Sequence, residues 1–374
     1  MLKYLPKFLV LIWLILVFSM ITLGQETLTE EDYPMNIKKY ELSLMGTSSK
    51  ISPRIVIKMD NNWEILLACL SEKTKDELKD RGIRFTDSQI MLLQAMRLLE
   101  VKRERLKTTM PILGSVKMRS LRKKMRDLSL KIEPELRSDV DAFKTELKKI
   151  GREENMYTLL FSYTLDELAW KPFFEKSLIR SFGITSENPF WTGVYWACYP
   201  PREFLCGTNK MDFKEVSFAV NWSNVLLEEM LKGFYRANLK MLYKDYLEYG
   251  KIVNDDLRKE LAPYKIFDSS GNLTVPIIEE KEDNQLYLKC KSIAVKANQL
   301  FLDNVDVKSL IEEYKFYDEE KAVVVSYHEW MWEYMDYLEE RGIVKKPFAF
   351  SNPSEAEPKD VGTLMFVIKR LTEQ

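Results

Sequence analysis

The chain has 374 residues, with 56 basic and 57 acidic side chains and a formal net charge of −1. This balance excludes a global electrostatic field that would draw the protein to nucleic acid or to an acidic surface. Hydrophobic residues make up 46% of the chain, which excludes a disordered protein, and the length allows two domains with ordinary cores.

The first 24 residues predict an export signal. Lys3 and Lys7 precede an almost wholly apolar run, residues 8–23, and Thr22 and Gly24 are the small residues at positions −3 and −1 of a cleavage site. The alternative is an uncleaved membrane anchor, although the run is shorter than the roughly 20 residues that a spanning helix needs. Both interpretations place the remaining chain outside the cytoplasm, either periplasmic or secreted, or anchored in the inner membrane through residues 8–23.

A first module is predicted over residues 54–199, after a lead-in at residues 25–53. It begins with an alternating strand at residues 54–58. Helices follow at residues 63–70, 75–81 and 86–99, and a hairpin at residues 101–110. Three short helices followed by a two-stranded hairpin resemble a winged-helix domain. The resemblance covers residues 61–113, and it implies a fold without implying an activity.

The rest of the first module is predicted to be mainly helical. Apolar residues at intervals of three or four predict a long amphipathic helix over residues 119–150, with a kink or break at Pro134. A short strand at residues 157–163, an aromatic helix at residues 166–178 and a closing strand at residues 193–199 follow.

The same order returns in a second module, residues 216–369, after a connector at residues 200–215. Pro111 and Pro276 lie in similar segments 165 residues apart, and Tyr163 and Tyr327 lie 164 residues apart. The predicted elements are a strand at 216–222, helices at 225–235, 239–249 and 255–261, a hairpin at 264–278, helices near 292–302 and 307–314, a strand at 322–326, an aromatic helix at 327–341 and a strand at 362–368. The sequence therefore predicts a helix-rich α+β fold with an internal duplication of a winged-helix-like module.

Two of the four cysteines, Cys198 and Cys206, flank a proline-containing turn. In an exported protein they could form a disulfide; the alternative is two unpaired thiols on neighbouring strands. No spacing of cysteine and histidine predicts a zinc site, and no motif predicts a cofactor.

The repeat suggests a seam between the modules. If the modules pack about a pseudo-twofold axis, Asp166, Glu167 and Glu329 face this seam, near His328, which is the only histidine. Carboxylates with pKa values raised by burial could perform acid–base catalysis there, whereas the ordinary interpretation is helix-terminal acids and a packing histidine. Aromatic residues could line a pocket for a flat ligand or form core. The candidate pocket or seam comprises Tyr163, Asp166, Glu167, Trp191, Trp196, Tyr327, His328, Glu329 and Trp332.

The hairpin and the segment after it, residues 102–126, contain ten basic side chains. In a winged helix such charges would suggest contacts with DNA phosphates. The export signal argues against this, and the helix at residues 86–99 offers only Gln89, Gln94 and Arg97 to read bases. A solvated face or a contact with anionic lipid explains the charges better.

The sequence repeats a scaffold without repeating a catalytic set. This favours an exported, non-catalytic binding or assembly protein of the periplasm or cell surface, whose partner is a protein or a small molecule. One alternative is a hydrolytic enzyme that uses carboxylates and His328 at the seam. The other is a membrane-anchored nucleic-acid-binding protein.

Overall fold

The computed structural model describes residues 32–48, 51–180, 183–186, 189–213, 215–226, 228–234 and 236–370. The predicted signal or anchor, residues 1–24, and the lead-in up to residue 31 lie outside the described residues. Within the described ranges, no helix is both long enough and apolar enough to cross a membrane.

The first half of the chain consists of short helices and strands that lead into one long helix. Thr74 and Thr86 each begin a helix with a capping box, in which the threonine hydroxyl accepts a hydrogen bond from the third backbone amide. The elements are β1 (Glu41–Ser48), α1 (Pro53–Lys58), α2 (Asn62–Ala68), β2 (Lys73–Thr74), α3 (Lys75–Asp80), α4 (Asp87–Ala95), β3 (Leu99–Lys102), β4 (Arg105–Thr108), β5 (Ile112–Leu113), α5 (Ser115–Lys149), α6 (Met156–Thr158), a π-helix (Leu159–Leu165), a 3₁₀ turn (Leu168–Trp170), α7 (Lys171–Glu175) and β6 (Trp191–Cys198). The helices and the hairpin predicted between residues 63 and 110 are confirmed.

The strand predicted at residues 54–58 is wrong, because this segment forms helix α1. Pro53 stands in its first turn, where a missing amide donor does no harm. Val56 and Ile57 are adjacent and both buried, whereas a half-buried strand would turn them to opposite faces. The β-branched residues favour an extended chain, and tertiary packing overrides that preference.

Helix α5 runs through Pro134 for 35 residues, so the predicted break is wrong. A proline inside a helix costs about 3 kcal/mol. Burial of one leucine-sized side chain contributes about 1.5–3 kcal/mol, and the stripe on α5 stays buried on both sides of the proline. The buried stripe consists of Leu121, Met125, Leu128, Ile132, Leu136, Val140, Phe143 and Leu147. Its packing outweighs the local defect.

The second half begins with a hairpin and continues with longer helices. Its elements are β7 (Cys206–Phe213), β8 (Val216–Ser223), a 3₁₀ helix (Glu228–Phe234), α8 (Arg236–Tyr249), α9 (Asp255–Leu261), β9 (Ile277–Glu280), α10 (Gln285–Asn304), α11 (Val307–Tyr314), α12 (Glu319–Glu340), α13 (Phe348–Ser351), α14 (Pro358–Gly362) and β10 (Met365–Arg370). The hairpin predicted over residues 264–278 is reduced to one bridge between Phe267 and Leu273.

The short strands predicted at residues 157–163 and 322–326 are also wrong. The first segment lies in α6 and the π-helix, and the second lies in α12. All residues from Asn155 to Leu165 and from Glu320 to Trp332 are buried. Neither segment therefore has exposed positions that would reveal the helical period of 3.6 residues.

Three small sheets organise the described strands. Their orders are β1-β6-β5, β7-β8-β10-β9 and β2-β4-β3. In the first sheet, β6 is antiparallel to β1 and parallel to β5. In the second, β10 is antiparallel to β8 and parallel to β9. The carbonyl of Pro111 accepts a hydrogen bond from Ala197 N at 2.9 Å, and that of Pro276 accepts one from Val367 N at 2.8 Å.

Strand β6 has a hydrophobic core on each face. A first core lies among α1–α4 and the sheet β2-β4-β3, and it receives from β6 the side chains of Trp191, Tyr195 and Ala197. A second core contains α5, the π-helix and most of the second half, and it receives Val194, Trp196 and Cys198. Helix α5 packs against α10 and α12. Helix amounts to 53% and strand to 17%, which confirms a helix-rich α+β fold.

Candidate functional site

His328 lies inside a cage of tryptophans in the second core. Its ring centroid is 4.8 Å from that of Trp170, 4.9 Å from that of Trp196 and 5.6 Å from that of Trp332. His328 Nδ1 lies 2.7 Å from the carbonyl oxygen of Val324, one turn earlier in α12. A carbonyl only accepts, so Nδ1 carries a proton and Nε2 is left to face Asp166. Burial lowers the pKa of His328 to about 4, so the ring is neutral at physiological pH.

Asp166 faces His328 from the first half of the chain. Its Oδ1 is 3.7 Å from His328 Nε2 and accepts a hydrogen bond from Trp170 Nε1 at 3.4 Å. Burial raises the pKa of Asp166 to about 7. The two pKa values are therefore shifted in opposite directions, and between about pH 4 and pH 7 both groups are predominantly uncharged.

A chain of hydrogen bonds links Asp166 to β8. Ser162 donates to Asn221 Oδ1, and the hydroxyl groups of Ser162 and Thr208 are 2.6 Å apart. Thr208 donates to an ionised Asp166 at 3.1 Å, which leaves no proton for the contact between Thr208 and Ser162. If Asp166 is protonated, it donates to Thr208, Thr208 to Ser162 and Ser162 to Asn221. Every contact then has one proton, in agreement with the raised pKa.

Other predicted seam residues have separate structural partners. The Tyr327 hydroxyl donates to the carbonyl of Leu165 at 3.1 Å, and the Tyr163 hydroxyl donates to Glu280 at 3.1 Å. Glu167 binds Lys210 at 2.8 Å and Arg370 at 2.6 Å. These contacts tie the π-helix and the turn after it to α12 and to the sheet β7-β8-β10-β9. They leave no paired carboxylates facing a common substrate position.

Glu329 belongs to a different buried cluster of charges. Its carboxylate accepts hydrogen bonds from Arg122 Nε at 3.2 Å and from Arg202 Nη2 at 2.6 Å. Arg202 also binds Glu333 at 2.8 Å, and its backbone amide donates to Glu41 at 2.8 Å. Arg202 further lies over the Trp332 ring, at 5.3 Å from its centroid.

Ligand-type atoms of Glu41, Cys198 and Glu329 lie within 4.8 Å of one another, which suits a small metal ion by distance alone. Two guanidinium groups already neutralise both carboxylates. Burial raises the pKa of the Cys198 thiol well above its usual range, so the sulfur keeps its proton while no metal is bound. The trio is best described as part of a buried ion-pair cluster.

The structure separates Trp191 from the other predicted pocket residues. It lies on the opposite face of β6 from Trp196 and donates from Nε1 to the carbonyl of Met96 at 2.6 Å. The two tryptophans are five positions apart, so the alternation of a strand puts them on opposite faces. The aromatic cluster predicted from sequence is therefore divided between two cores.

Of the two alternatives for Cys198 and Cys206, the structure has two unpaired thiols, both buried, and no disulfide between them. They lie on strands of different sheets, β6 and β7. Cys206 Sγ is 3.5 Å from the hydroxyl of Tyr157, and burial raises the pKa of Cys206 to about 12. Both sulfurs act as packing groups in the second core.

An open concavity lies away from the seam, and we call it the basic cleft. Its volume is about 1070 Å³, and it lies between β2, β4, β5 and the start of α5 on one side and the turn from α11 to α12 on the other. The charged residues that line it are Glu72, Lys73, Glu77, Arg81, Arg105, Lys107, Lys117 and Lys315. Tyr314, Phe316 and Tyr317 line the far wall.

The sequence indicated basic residues on only one side of this cleft. Lys107 and Lys117 belong to the basic segment noted at residues 102–126, but Lys73, Arg81 and Lys315 stand in no recognisable motif. The one local signal is Lys315, which follows helix α11 where a glycine or asparagine is usual. No protein-family model matches the chain, and comparisons with curated proteins and with solved structures also found no match.

Proposed function

We propose that this protein is an exported, non-catalytic binding or assembly protein of the periplasm or cell surface. In this proposal, two winged-helix-like modules provide a rigid body, and the ligand occupies the basic cleft. The observation that carries the proposal is that protein side chains fill the seam between the modules, whereas the basic cleft is open to solvent.

The duplication is supported by the two matching sheets. The orders β1-β6-β5 and β8-β10-β9 have the same sequence of antiparallel and parallel pairs. The carbonyls of the repeated prolines Pro111 and Pro276 accept hydrogen bonds from backbone amides at equivalent positions of the closing strands. The order α2-β2-α3-α4-β3-β4 and the sheet β2-β4-β3 fit a winged-helix-like unit in the first module. The second module would retain only a reduced hairpin.

The seam argues against the hydrolytic alternative. The shifted pKa values of Asp166 and His328 are what an acid–base pair would need. His328, however, is only 6% exposed and is enclosed by three indole rings. A catalytic base must reach a substrate proton within hydrogen-bond distance, and this cage leaves no approach to Nε2.

The nucleic-acid alternative is weakened by the contacts of helix α4. Gln89 is one of three side chains on this segment that could read bases, and it is used inside the fold. Its amide nitrogen donates to Asn61 at 3.0 Å, and its oxygen accepts from Thr86 N at 2.8 Å. A recognition helix needs several free polar side chains.

The proposal is tested by recovering the bound ligand from the protein. The protein would be purified from the extracytoplasmic fraction, its N-terminus determined, and its mass measured under native conditions. Ser71→Trp should block the cleft and remove any bound mass, whereas Ser88→Trp, at an exposed position outside the cleft, should not. Retention of the ligand by Ser71→Trp, or an N-terminus and location in the cytoplasm, would refute the proposal.

A further inference from the structure

The basic cleft has surplus positive charge because its two acids are already bound. Arg105 Nε lies 3.3 Å from Glu72, and Arg105 Nη2 lies 3.8 Å from Glu77. Glu77 also accepts a hydrogen bond from the backbone amide of Thr74 at 2.6 Å, as part of a capping box. The Thr74 amide first, and then Arg105, Lys73 and Arg81, lower the pKa of Glu77. The lining as a whole has two acidic and six basic side chains, so positive charge is in excess.

Lys73 is the most informative of these cations. It is only 8% exposed, and the pairing of β2 with β4, which sets Lys73 opposite Leu106, fixes its backbone at the cleft wall. Among the residues that the structure describes, no carboxylate lies within ion-pair distance of its ammonium group. Buried lysines usually have an ion-pair partner. An anion that enters the cleft would supply this partner for Lys73.

Lys315 contributes a second cation from the opposite wall. It lies directly after α11 with a φ of 61°, in the left-handed region that disfavours L side chains other than asparagine. Its side chain is exposed, so packing does not explain why a lysine occupies the position. A glycine would end the helix here with less strain, so the lysine side chain is the part of Lys315 that the fold itself does not require.

The far wall offers a surface for the uncharged part of a ligand. Lys107 Nζ lies 5.5 Å from the centroid of the Tyr317 ring, so a cation and a flat ring stand side by side in the lining. Ile311 and Phe316 add apolar surface. The cleft thus combines charge for an anionic group with an apolar wall for the rest of the molecule.

We propose that the basic cleft binds its ligand through a phosphoryl group, with Lys73 as the buried anchor and Lys107, Lys315 and Arg81 as outer cations. This inference rests on the proposed function and names the ligand class. A lining with six basic and two acidic side chains suits a doubly charged oxyanion better than a single carboxylate, and lysine binds phosphate as a point charge. The phosphoryl group can belong to a soluble phosphate ester or to a phospholipid headgroup.

The test uses the purified full chain and Lys73→Met. Calorimetry would measure binding of inorganic phosphate and glycerol phosphate, and sedimentation would measure binding to phosphatidylcholine vesicles with and without phosphatidic acid. Lys73→Met should weaken phosphate binding by about tenfold or more while the melting temperature of the unliganded protein stays equal or rises. A lysine with a merely structural role would give a lower melting temperature instead.

Two further variants check the result obtained with Lys73→Met. Lys315→Gly should raise the melting temperature, because glycine adopts a positive φ freely, and should weaken phosphate binding several-fold. Lys79→Met is the matched control, since Lys79 is exposed, paired with Asp76 and absent from the cleft, and it should leave both quantities unchanged. Binding to phosphatidic acid vesicles without binding of soluble phosphates would support the phosphoryl group and identify lipid as its source.

The inference is overturned if no phosphoryl compound binds, if acetate binds as tightly as phosphate, or if Lys73→Met binds phosphate like the unaltered protein. If Ser71→Trp still removes a recovered ligand in that case, the proposed binding function stands and only the ligand class is wrong. If neither Ser71→Trp nor Lys73→Met changes any binding, both proposals fail.

Discussion

Asp166→Asn should stabilise the protein at alkaline pH and have little effect at acid pH. Burial raises the pKa of Asp166 from 3.8 to about 7. Below about pH 4 the carboxyl is protonated in both the folded and the unfolded chain, and its full contribution to stability is present. As the pH rises from 4, the unfolded chain ionises first, so the contribution falls until the folded group also ionises at about pH 7. Asparagine has no such titration, and its amide can donate to Thr208 as the protonated acid does.

The magnitude follows from the size of the shift. One pKa unit corresponds to 1.36 kcal/mol, so a shift of roughly three units makes ionised Asp166 unfavourable by about 4 kcal/mol at pH 8. The side chain is 18% exposed, so solvent screens this value only in part. His328 lowers stability as the pH falls from 6.5 towards 4, but it does so in both proteins and cancels in the comparison.

The assay is urea denaturation of both proteins at several pH values between 4 and 8. The difference in unfolding free energy should grow from near zero to a few kcal/mol in favour of the variant. Asp87→Asn is the control of opposite sign, because Lys75 lowers the pKa of Asp87, and this variant should lose stability above about pH 4. A variant Asp166→Asn that is less stable at pH 8, or a difference that does not vary with pH, would refute the reasoning.

Two other predictions concern buried groups. Arg202→Met leaves Glu333 without a counter-charge and leaves Glu329 with Arg122 alone, so it should lower the unfolding free energy by about 3–5 kcal/mol in urea titrations. Lys123→Met at an exposed pair should change it by less than about 1 kcal/mol, and equal effects of the two variants would contradict the account of the cluster. All four cysteines are buried thiols. A thiol reagent should therefore label none of them in the native protein and four per chain after denaturation. Labelling of only two cysteines per denatured chain would indicate a disulfide.

Local signals gave the most accurate predictions of structure. Helix α11 was predicted at residues 307–314 and has those bounds. The helices predicted to begin at residues 86 and 255 begin within one residue of those positions. Thr86 and Asn254 cap them, and a capping side chain acts on its own backbone within three residues. The closing strands were found because they carry apolar runs bounded by turns.

The errors arose where tertiary contacts decide the conformation. Val323, Val324 and Val325 favour a strand, yet they lie in the first half of helix α12. Every residue from Glu320 to Trp332 is buried, so this part of the helix has no exposed face that would reveal its period. The π-helix itself has no sequence signal of the kind that caps provide.

The candidate sites were predictable to different degrees. The repeat drew attention to Asp166 and His328, and the structure places them 3.7 Å apart. The basic cleft could not be found in the same way, since Lys73, Lys107 and Lys315 come from distant segments. Their common feature, a place in the lining of one cleft, exists only in three dimensions.

The position of β6 between two cores limits which amino-acid substitutions the two halves of the chain can accept during evolution. The side chains of this strand pack alternately into one core and the other. Because they share one backbone, a shift caused in one core also moves the side chains in the other. A substitution such as Val194→Ala would therefore loosen both neighbourhoods at once. If the chain arose by duplication, the two copies could no longer accept substitutions independently once both cores packed against β6. Selection on one half then restrains the other, while exposed positions that enter neither core, such as Lys315 of the basic cleft, remain free to specialise.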